Sequence, residues 1–359
     1  MKVALELGGH WPDPKHHIDN LFPEMIEVVK LADKIGVDAF LMGEHHFMDY
    51  SATPDPIALA TYIAALTQRQ RLILAVMILP LHDVQRLAGE LAMADQLTRG
   101  RIDIGFGRGG CPYELRRFNM ASDYESAREI FEERLKALRI LFEQQDVSLD
   151  WKHTKFNDVT IVPPVFQRPH PPMWLSAQRI EACFHIAKQG YHVQMAQLRN
   201  PISYVKEMMR AFREGVSEAD QHQGAQKIGI IQWVYITKDE ADRREKVELA
   251  YQKHRKFMGL LTDKSTVIGG HVPPIDLPGS PEEYAENTLI GSLEFVKERI
   301  LELQDIGFDY FMMQAHCGPN HTDVMASMER FGEHIMPLLH RQTEDTIPPP
   351  VERRAHPAA

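Results

Sequence analysis

An alternation of strand and helix that recurs along almost the whole chain is the feature that most constrains the fold. Short apolar runs typical of buried strands are each followed by a segment with the apolar spacing of a helix. The runs that we interpret as strands are 2–7, 39–43, 72–80, 101–107, 172–177, 192–198, 227–237 and 308–314. Because these runs are apolar on both faces, they predict a parallel sheet covered on both sides. Eight such units predict an α/β fold of the (β/α)8 TIM-barrel type, with a doubly wound open sheet as the alternative.

Two stretches break this rhythm and are predicted to be insertions. Residues 147–170 lack helical spacing and carry alternating apolar positions, which predicts a hairpin after strand 4. Residues 259–290 are rich in glycine and proline and lie between strands 7 and 8, where they could form a lid. We expect residues 1–341 to form a single barrel domain. The Pro-rich tail, residues 342–359, is expected to be disordered or laid over the surface.

Composition narrows the function classes. The net charge of −10 is spread along the chain and argues against nucleic-acid binding, which favours a basic face. Apolar runs fall well short of the ~20 residues that a membrane span needs, and we expect neither a signal peptide nor a membrane partner. Three widely spaced cysteines fit a reducing compartment, so we expect a cytoplasmic protein.

Polar clusters follow five of the predicted strands. In a TIM barrel the chemistry lies at the C-terminal ends of the strands. The clusters are Gly8–His10 after strand 1, Glu44–His46 after strand 2, Arg108 after strand 4, Gln178 and Arg179 after strand 5, and His316 after strand 8. A solvated loop would explain any one of them, but five at one end of a barrel predict a functional site there.

The glycine-rich segment 101–110 contains Gly105, Gly107 and Gly110 in the spacing GxGxxG. A dinucleotide-binding interpretation needs this motif in the first strand–turn–helix unit, whereas here it falls in the fourth and Pro112 follows at once. We therefore interpret the glycines as backbone lying close to a ligand, with the Arg108 guanidinium binding a phosphate. A glycine-rich turn with a surface arginine is the alternative.

A second anion-binding feature is predicted at residues 176–184, where a strand end runs into a helix. The free N–H groups of a first helical turn bind anions, and Arg179 would add positive charge. Arg108 and this helix start could hold one phosphate from two sides. An ordinary helix start is the alternative for this segment taken alone.

The adjacent histidines of the second cluster are weak candidates for a metal site. Neighbouring residues that leave a strand point to opposite faces, so one metal ion could hardly bind both His45 and His46. We predict no metal. His45 is the candidate for the pocket, and His46 is assigned a packed or hydrogen-bonded structural role.

Taken together, these segments resemble the bacterial luciferase-like flavin-dependent monooxygenases. The resemblance covers residues 1–341 and rests on the order and spacing of EHHF, ILAVMILP, LTRGRIDIGFGRGG, REIFEERL, FDYFMMQAHCGP and MERFGEHIMPLL. It implies a (β/α)8 barrel with excursions after strand 4 and between strands 7 and 8, which fits the two insertions predicted above.

The resemblance also implies roles for individual residues. His45 would lie near the reactive edge of the flavin ring, with Glu44 as an acid that orients either it or the loop. The cofactor-binding set is Arg108 for the FMN phosphate, Ala177, Gln178 and Arg179 as backbone donors to the same phosphate, Gly107, and a non-proline cis peptide between Ala75 and Val76 that shapes the flavin bed. The chain departs from the family at 178–182, where serine is common and this sequence has Gln178, Arg179 and Ala182.

The implied activity is that of a two-component monooxygenase. Reduced FMN, supplied by a separate flavin reductase, would react with dioxygen and oxygenate a small, modestly hydrophobic organic substrate through a flavin peroxide. A homodimer formed through the early helices, at 22–29 and 57–66, is expected. The alternatives are a deazaflavin-dependent dehydrogenase of the same fold, a non-catalytic flavin-binding protein and a metal-dependent barrel hydrolase.

Overall fold

The computed structural model describes residues 1–10, 18–120, 124–198, 200–219, 226–316, 318 and 320–340. Its strands are β1 Lys2–Glu6, β2 Ala39–Leu41, β3 Arg71–Ile78, β4 Ile102–Gly107, β5 Val147–Asp150, β6 Lys155–Val159, β7 Met173–Ser176, β8 His192–Ala196, β9 Ile228–Ile236, β10 Leu289–Gly291 and β11 Tyr310–Gln314. Its helices are α1 Leu21–Lys34, α2 Pro56–Leu66, α3 Val84–Thr98, α4 Pro112–Arg117, α5 Tyr124–Glu143, α6 Ile180–Lys188, α7 Ile202–Ser217, α8 Glu240–Leu261, α9 Pro281–Ala285, α10 Leu293–Ile306, α11 His321–His334 and α12 Met336–His340.

Eight parallel strands close into a barrel, which confirms the predicted fold class. Around the ring the order is β1, β2, β3, β4, β7, β8, β9 and β11, and the β11–β1 and β8–β9 pairings complete the circle. All eight strands run in the same direction, so their C-terminal ends meet at one end of the barrel, which we call the barrel mouth.

Alternation along the strands divides the core into two layers. Side chains at every second position fill the barrel interior, as Ala4, Leu41, Ile73, Trp174 and Met312 do. The positions between them face outwards and pack against the surrounding helices, forming the larger apolar cluster. This two-sided burial is the physical reason that the strands are apolar on both faces.

Capping residues fix where several helices begin and end. Asp55 precedes α2 and accepts a hydrogen bond from the Ala58 N–H at 2.9 Å. Asp83 does the same for α3 through the Arg86 N–H at 2.9 Å. At the end of α10, Gly307 has a φ of 105°, a left-handed conformation that glycine adopts without strain.

The two predicted insertions are present, with additions that the sequence analysis missed. β5 and β6 form the expected antiparallel hairpin after the fourth barrel strand. The second insertion contains α9 and the short strand β10, which pairs with the C-terminal end of β9. Three residues in a glycine- and proline-rich segment give too weak a periodic pattern to predict a strand.

Two helical details also differ from expectation. The sequence analysis did not predict the six-residue helix α4. It used Pro112 only against a dinucleotide-binding turn, whereas proline is favoured in the first turn of a helix. The C-terminal helical segment is divided into α11 and α12 at Ile335. The single-domain assignment stays a prediction, and the tail at 342–359 lies outside the described residues. Within the described ranges, no helix combines the length and apolarity that crossing a bilayer requires.

Candidate active site

Glu44, directly after β2, is a buried carboxylate with three hydrogen-bond partners. Its Oε1 lies 2.7 Å from Nε2 of His46. Its Oε2 accepts the Ile78 N–H at 2.7 Å and lies 2.8 Å from Nε2 of His82. Burial alone would raise the pKa of Glu44, but the bonds from His46 and His82 outweigh it and lower the pKa to about 2. Glu44 therefore joins the loop after β2 to the end of β3 as a carboxylate.

His45 has a different partner, Glu114 of α4. Nδ1 of His45 lies 3.3 Å from both carboxylate oxygens of Glu114, which is 1% exposed in its side chain. The same carboxylate accepts the backbone N–H of His46 at 2.7 Å. Burial lowers the pKa of His45, but Glu114, with smaller contributions from Glu44 and Glu6, raises it above its usual range. The imidazole remains 26% exposed in its side chain, so it is reachable from the barrel mouth.

The two adjacent histidines thus bind two different carboxylates. His46 takes the structural role predicted for it, bonded to Glu44 and in edge contact with Phe118 at 4.8 Å between ring centroids. The sequence analysis left open whether Glu44 orients His45 or the loop. Its hydrogen bonds go to His46, His82 and the Ile78 N–H, which favours the role in orienting the loop. Glu114 was missed by the sequence analysis because it lies 69 residues from His45, with no local pattern linking the two.

Three potential metal-ligand atoms, from His45, Cys111 and Glu114, lie within 4.8 Å of one another. Burial, and then the neighbouring Glu114, raises the pKa of the Cys111 thiol well above its usual range, and a neutral thiol is a poor metal ligand. Glu114 is already an acceptor for His45 and His46. The arrangement therefore favours a role for His45 in hydrogen bonding, and the absence of a metal stays a prediction.

The predicted phosphate-binding residues follow neighbouring strands. β4 pairs with β7 through Gly105–Trp174 and Phe106–Leu175, so Arg108 and Ala177, which follow these strands, lie at adjacent strand ends. The Ala177 N–H is donated to the Gln194 carbonyl at 2.9 Å, so sheet pairing occupies this predicted donor. Gln178 and Arg179 follow Ala177 and lead into α6. They remain the predicted backbone donors to the phosphate.

The start of α6 is the predicted anion site. Arg179 is the N-cap residue, and within the described part of the chain its side chain makes no capping hydrogen bond. The first intrahelical bond runs from the Cys183 N–H to the Arg179 carbonyl, which leaves the N–H groups of residues 180–182 for an external acceptor. Tyr204 donates its hydroxyl to the Gln178 carbonyl at 2.8 Å and so fixes the turn.

Between this anion site and His45, β3 and β4 provide a surface of small residues. The Ala75–Val76 peptide bond is cis, as the resemblance implied. A Cβ added at Gly107 would lie 2.9 Å from Cγ2 of Val76, and one at Gly105 would lie 2.6 Å from Cβ of Ala75. Glycine at these two positions lets the two strands approach closely and adds no side chain there. These features fit a planar ring with a phosphate-bearing tail.

The second insertion contacts the loop that carries His45. Asp49 accepts the Val272 N–H at 3.0 Å and lies 2.6 Å from Nδ1 of His271. The Asp49 N–H in turn donates to the Gly270 carbonyl at 2.7 Å. Arg116 and Asp263 form a further two-bond ion pair, at 2.6 and 2.7 Å, between α4 and the insertion. The insertion therefore rests on the same segments that position His45 and Glu114.

The polar clusters after β1 and β11 reach the same end of the barrel. Nδ1 of His10 lies 3.0 Å from the Tyr50 carbonyl, and the Tyr50 ring makes an edge contact with His45 at 5.8 Å between centroids. The carbonyl of His316 accepts a hydrogen bond from Lys253 of α8 at 2.8 Å. Burial, followed by Lys253, lowers the pKa of His316 to about 4, so this imidazole is neutral.

The barrel, with a histidine–carboxylate pair and a predicted anion site at its mouth, has the architecture of a TIM-barrel enzyme. Comparison with known proteins identifies the family: a family model described as luciferase-like monooxygenase matches residues 7–310, and the chain belongs to that family. The resemblance to this family that was stated from the sequence is thereby confirmed.

Individual relatives agree with this assignment. The chain is 26% identical to the oxygenase component of a flavin-dependent trigonelline monooxygenase from Acinetobacter baylyi, over 90% of this chain and 92% of that protein. A monooxygenase structure from Streptomyces bottropensis superposes with a TM-score of 0.81 at 25% identity, covering 94% of this chain and 100% of the other.

Two more distant structures share the fold. The oxygenating constituent of a 3,6-diketocamphane monooxygenase from Pseudomonas putida, in complex with FMN, gives a TM-score of 0.76 at 16% identity, over 94% of this chain and 98% of that one. An F420-dependent secondary alcohol dehydrogenase gives 0.70 at 14% identity, over 93% and 98%.

Proposed function

We propose that this chain is the oxygenase of a two-component system, which uses FMN reduced by a separate flavin reductase, together with dioxygen, to oxygenate a small organic substrate. The observation that carries the proposal is the His45–Glu114 pair at the same end of the barrel as a helix start suited to a flavin phosphate. The name of the Acinetobacter baylyi relative, an oxygenase component, supports a reductase partner.

The residues at the mouth divide into a binding part and a reactive part. Arg108 and the start of α6 would hold the phosphate, and the small residues Ala75, Val76 and Gly107 would accommodate the ring. Reduced flavin, when bound, supplies the electrons that activate dioxygen.

His45 is proposed to hold and move the proton at the reacting centre. Because Nδ1 is bound to Glu114, the other ring nitrogen, Nε2, is directed away from that carboxylate and is available at the mouth. The raised pKa keeps a larger share of the imidazole protonated near neutral pH, which suits donation of a hydrogen bond or a proton to oxygen. Glu114 is a positioning residue in this proposal, because it acts through His45.

The second insertion is proposed to exclude water from the mouth. It is joined to the His45 loop through Asp49 and to α4 through Arg116, so it can cover the site without a change in the barrel. Exclusion of water protects reactive intermediates from hydrolysis or proton leakage.

A deazaflavin-dependent dehydrogenase is the second candidate, favoured by the fold shared with the F420-dependent alcohol dehydrogenase. A non-catalytic flavin-binding role would leave substrate unchanged. The deciding experiment is an anaerobic titration with reduced FMN and, separately, reduced deazaflavin, followed by admission of oxygen. We expect tight binding of reduced FMN and substrate-dependent oxygen consumption. Tight binding of the deazaflavin alone, with no oxygen uptake, would overturn the proposal.

The phosphate assignment predicts a selective loss of affinity. In Arg108→Ala we expect FMN binding to weaken roughly 10- to 100-fold, because a charge-assisted hydrogen bond contributes about 1.5–3 kcal/mol. Riboflavin, which lacks the phosphate, should bind nearly as well as to the wild type. Flavin fluorescence titration measures both. Arg210→Ala, on the exposed face of α7, is the control that should change neither; equal losses of FMN and riboflavin in Arg108→Ala would contradict the assignment.

We also propose that the chain forms a homodimer through α2 and α3. Of the two early helices expected to associate, α1 buries Met25, Val28 and Val29 against the barrel, whereas α2 leaves apolar side chains exposed. The exposed patch consists of Tyr62 (58%), Leu66 (42%), Met93 (51%), Leu97 (66%) and, from the segment after the hairpin, Phe166 (52%). Several exposed large apolar side chains on neighbouring elements are typical of an interaction surface, and a second copy is the occupant that we propose.

The interface predicts the behaviour of a charged variant. Leu97→Glu should shift the protein from dimer to monomer at micromolar concentration, since the carboxylate would be buried without a partner. Sedimentation velocity measures the change. Ile268→Glu, at a residue of the second insertion that is 73% exposed, is the matched control and should leave the dimer intact. A wild-type protein that sediments as a monomer would contradict the proposal.

A further inference from the structure

One wall of the barrel mouth carries polar groups that neither phosphate binding nor the histidine–carboxylate pair uses. It is formed where β9, β11 and β1 end, whereas the anion site lies at the ends of β4 and β7, across the barrel. The residues that define this wall are Glu6, Trp233, Lys253 and Gln314, and Tyr50 connects it to His45.

Glu6 is the last residue of β1 and faces the barrel interior, two positions after the interior residue Ala4. Its carboxyl group lies against Gly8, because a Cβ added at Gly8 would clash with it. Gln314, at the end of β11, is close enough to act on the pKa of Glu6. Among the described residues, Oε2 of Glu6 is buried and has no hydrogen-bond partner. A buried acceptor left unsatisfied costs free energy, so its retention at the mouth points to a donor on a ligand.

Lys253 provides the positive charge of this wall. It is 4% exposed and comes from α8. Its Nζ lies 4.6 Å from the centroid of the Trp233 ring and 5.4 Å from that of the Tyr50 ring. An ammonium group held between two aromatic rings is positioned to bind an anionic group attached to a planar molecule, since the rings offer stacking surfaces beside the charge.

Burial changes the pKa of two titratable groups near Lys253. Burial raises the pKa of Glu6, and the nearby Lys253, His45 and Gln314 act in the opposite direction without cancelling it. His10 is kept neutral, because burial and then Lys253 lower its pKa well below the usual range. Lys253, which also donates to the His316 carbonyl at 2.8 Å, therefore acts on a carboxyl group with a reduced tendency to ionise.

We propose that this wall binds the substrate and selects an aromatic carboxylate that also carries a hydrogen-bond donor. The carboxylate pairs with Lys253, the ring stacks beside Trp233, and the donor, a hydroxyl or amino group, satisfies Oε2 of Glu6. The Tyr50 edge contact places this substrate next to His45. The inference deepens the proposed monooxygenase function and rests on it.

The test uses three probes and the full-length protein with oxidised FMN bound: 4-hydroxybenzoate, its neutral amide 4-hydroxybenzamide, and benzoate, which lacks the donor. In calorimetric titrations we expect 4-hydroxybenzoate to bind roughly tenfold or more tightly than either of the others. Lys253→Met should reduce the affinity for the acid to that for the amide and leave the amide unchanged, while Lys253→Arg should retain the preference. Glu6→Leu should remove the advantage of 4-hydroxybenzoate over benzoate.

The outcomes separate this inference from the proposed function. FMN affinity, followed by flavin fluorescence, should be unchanged in Lys253→Met and Glu6→Leu. Should the wild type bind FMN but not distinguish acid from amide, or bind none of the probes, the substrate class is overturned and the monooxygenase proposal stands. Equal weakening of acid and amide in Lys253→Met would also overturn it, because a structural role would affect both. Failure to bind FMN at all counts against the proposed function instead.

Discussion

Product formation should fall roughly 10²- to 10⁴-fold in His45→Ala, while FMN affinity stays close to that of the wild type. The reason is geometric: His45 is held by Glu114 at the barrel mouth, away from the residues that would bind the phosphate. Without the imidazole, dioxygen should still be consumed, but hydrogen peroxide should replace the oxygenated product. The measurement is the ratio of product to hydrogen peroxide per dioxygen consumed, with the reductase in excess.

Two further variants test whether His45 acts at the reacting centre. Glu114→Gln keeps the shape of the partner and removes its charge, so the pKa of His45 should fall and the pH profile of product formation should move to lower pH. His334→Ala, at an exposed position in the last turn of α11, should leave the product ratio unchanged. Undiminished product yield in His45→Ala would exclude the assigned role.

Glu44→Gln is expected to be the most destabilising of the conservative substitutions at this site. The carboxylate is 1% exposed and bonds His46, His82 and the Ile78 N–H. Removing one member of such a buried set typically costs about 3–5 kcal/mol. Urea denaturation should show this loss in the free energy of unfolding. Glu90→Gln, at an exposed ion pair on α3, is the control expected to show no measurable change.

The same carboxylate predicts a pH dependence of stability. The pKa of Glu44 is lowered from 4.5 to about 2 in the folded protein, which corresponds to a contribution of roughly 3 kcal/mol. A lowered pKa means that this contribution is fully present above the unfolded value and is lost as the pH falls from about 5 toward 2. The difference in unfolding free energy between wild type and Glu44→Gln should therefore shrink across that interval. A difference that stays constant from pH 6 to pH 3 would contradict the assignment.

Much of the architecture could be predicted because it depends on local pattern. The apolar runs and helical spacings gave the order of the eight barrel strands, the hairpin and the position of the second insertion. The clusters after β1, β2, β4, β7 and β11 were placed at one end because parallel strands all end there. By contrast, α4 and β10 are six and three residues long, too short for periodicity to reveal them.

Only part of the candidate site could be predicted from local sequence pattern. His45 and Arg108 could be proposed from their positions after strands. The availability of the Ala177 N–H could not be judged, because its use depends on the pairing of β7 with β8. Glu114 and Lys253 gave no signal at all, since an acid or a lysine on a helix is ordinarily a solvated surface residue.

The sequence by itself therefore determined that the chain folds as a barrel and at which end its chemistry lies. The physical reason is that a strand buried on both faces is a mostly apolar run, which can be recognised in the sequence. Only the tertiary structure decided which charges meet. Folding of the chain brings Glu114 to His45 across 69 residues and places Lys253 of α8 against Trp233 of β9. Such pairings depend on strand register and helix orientation, which many positions set jointly and no short segment encodes.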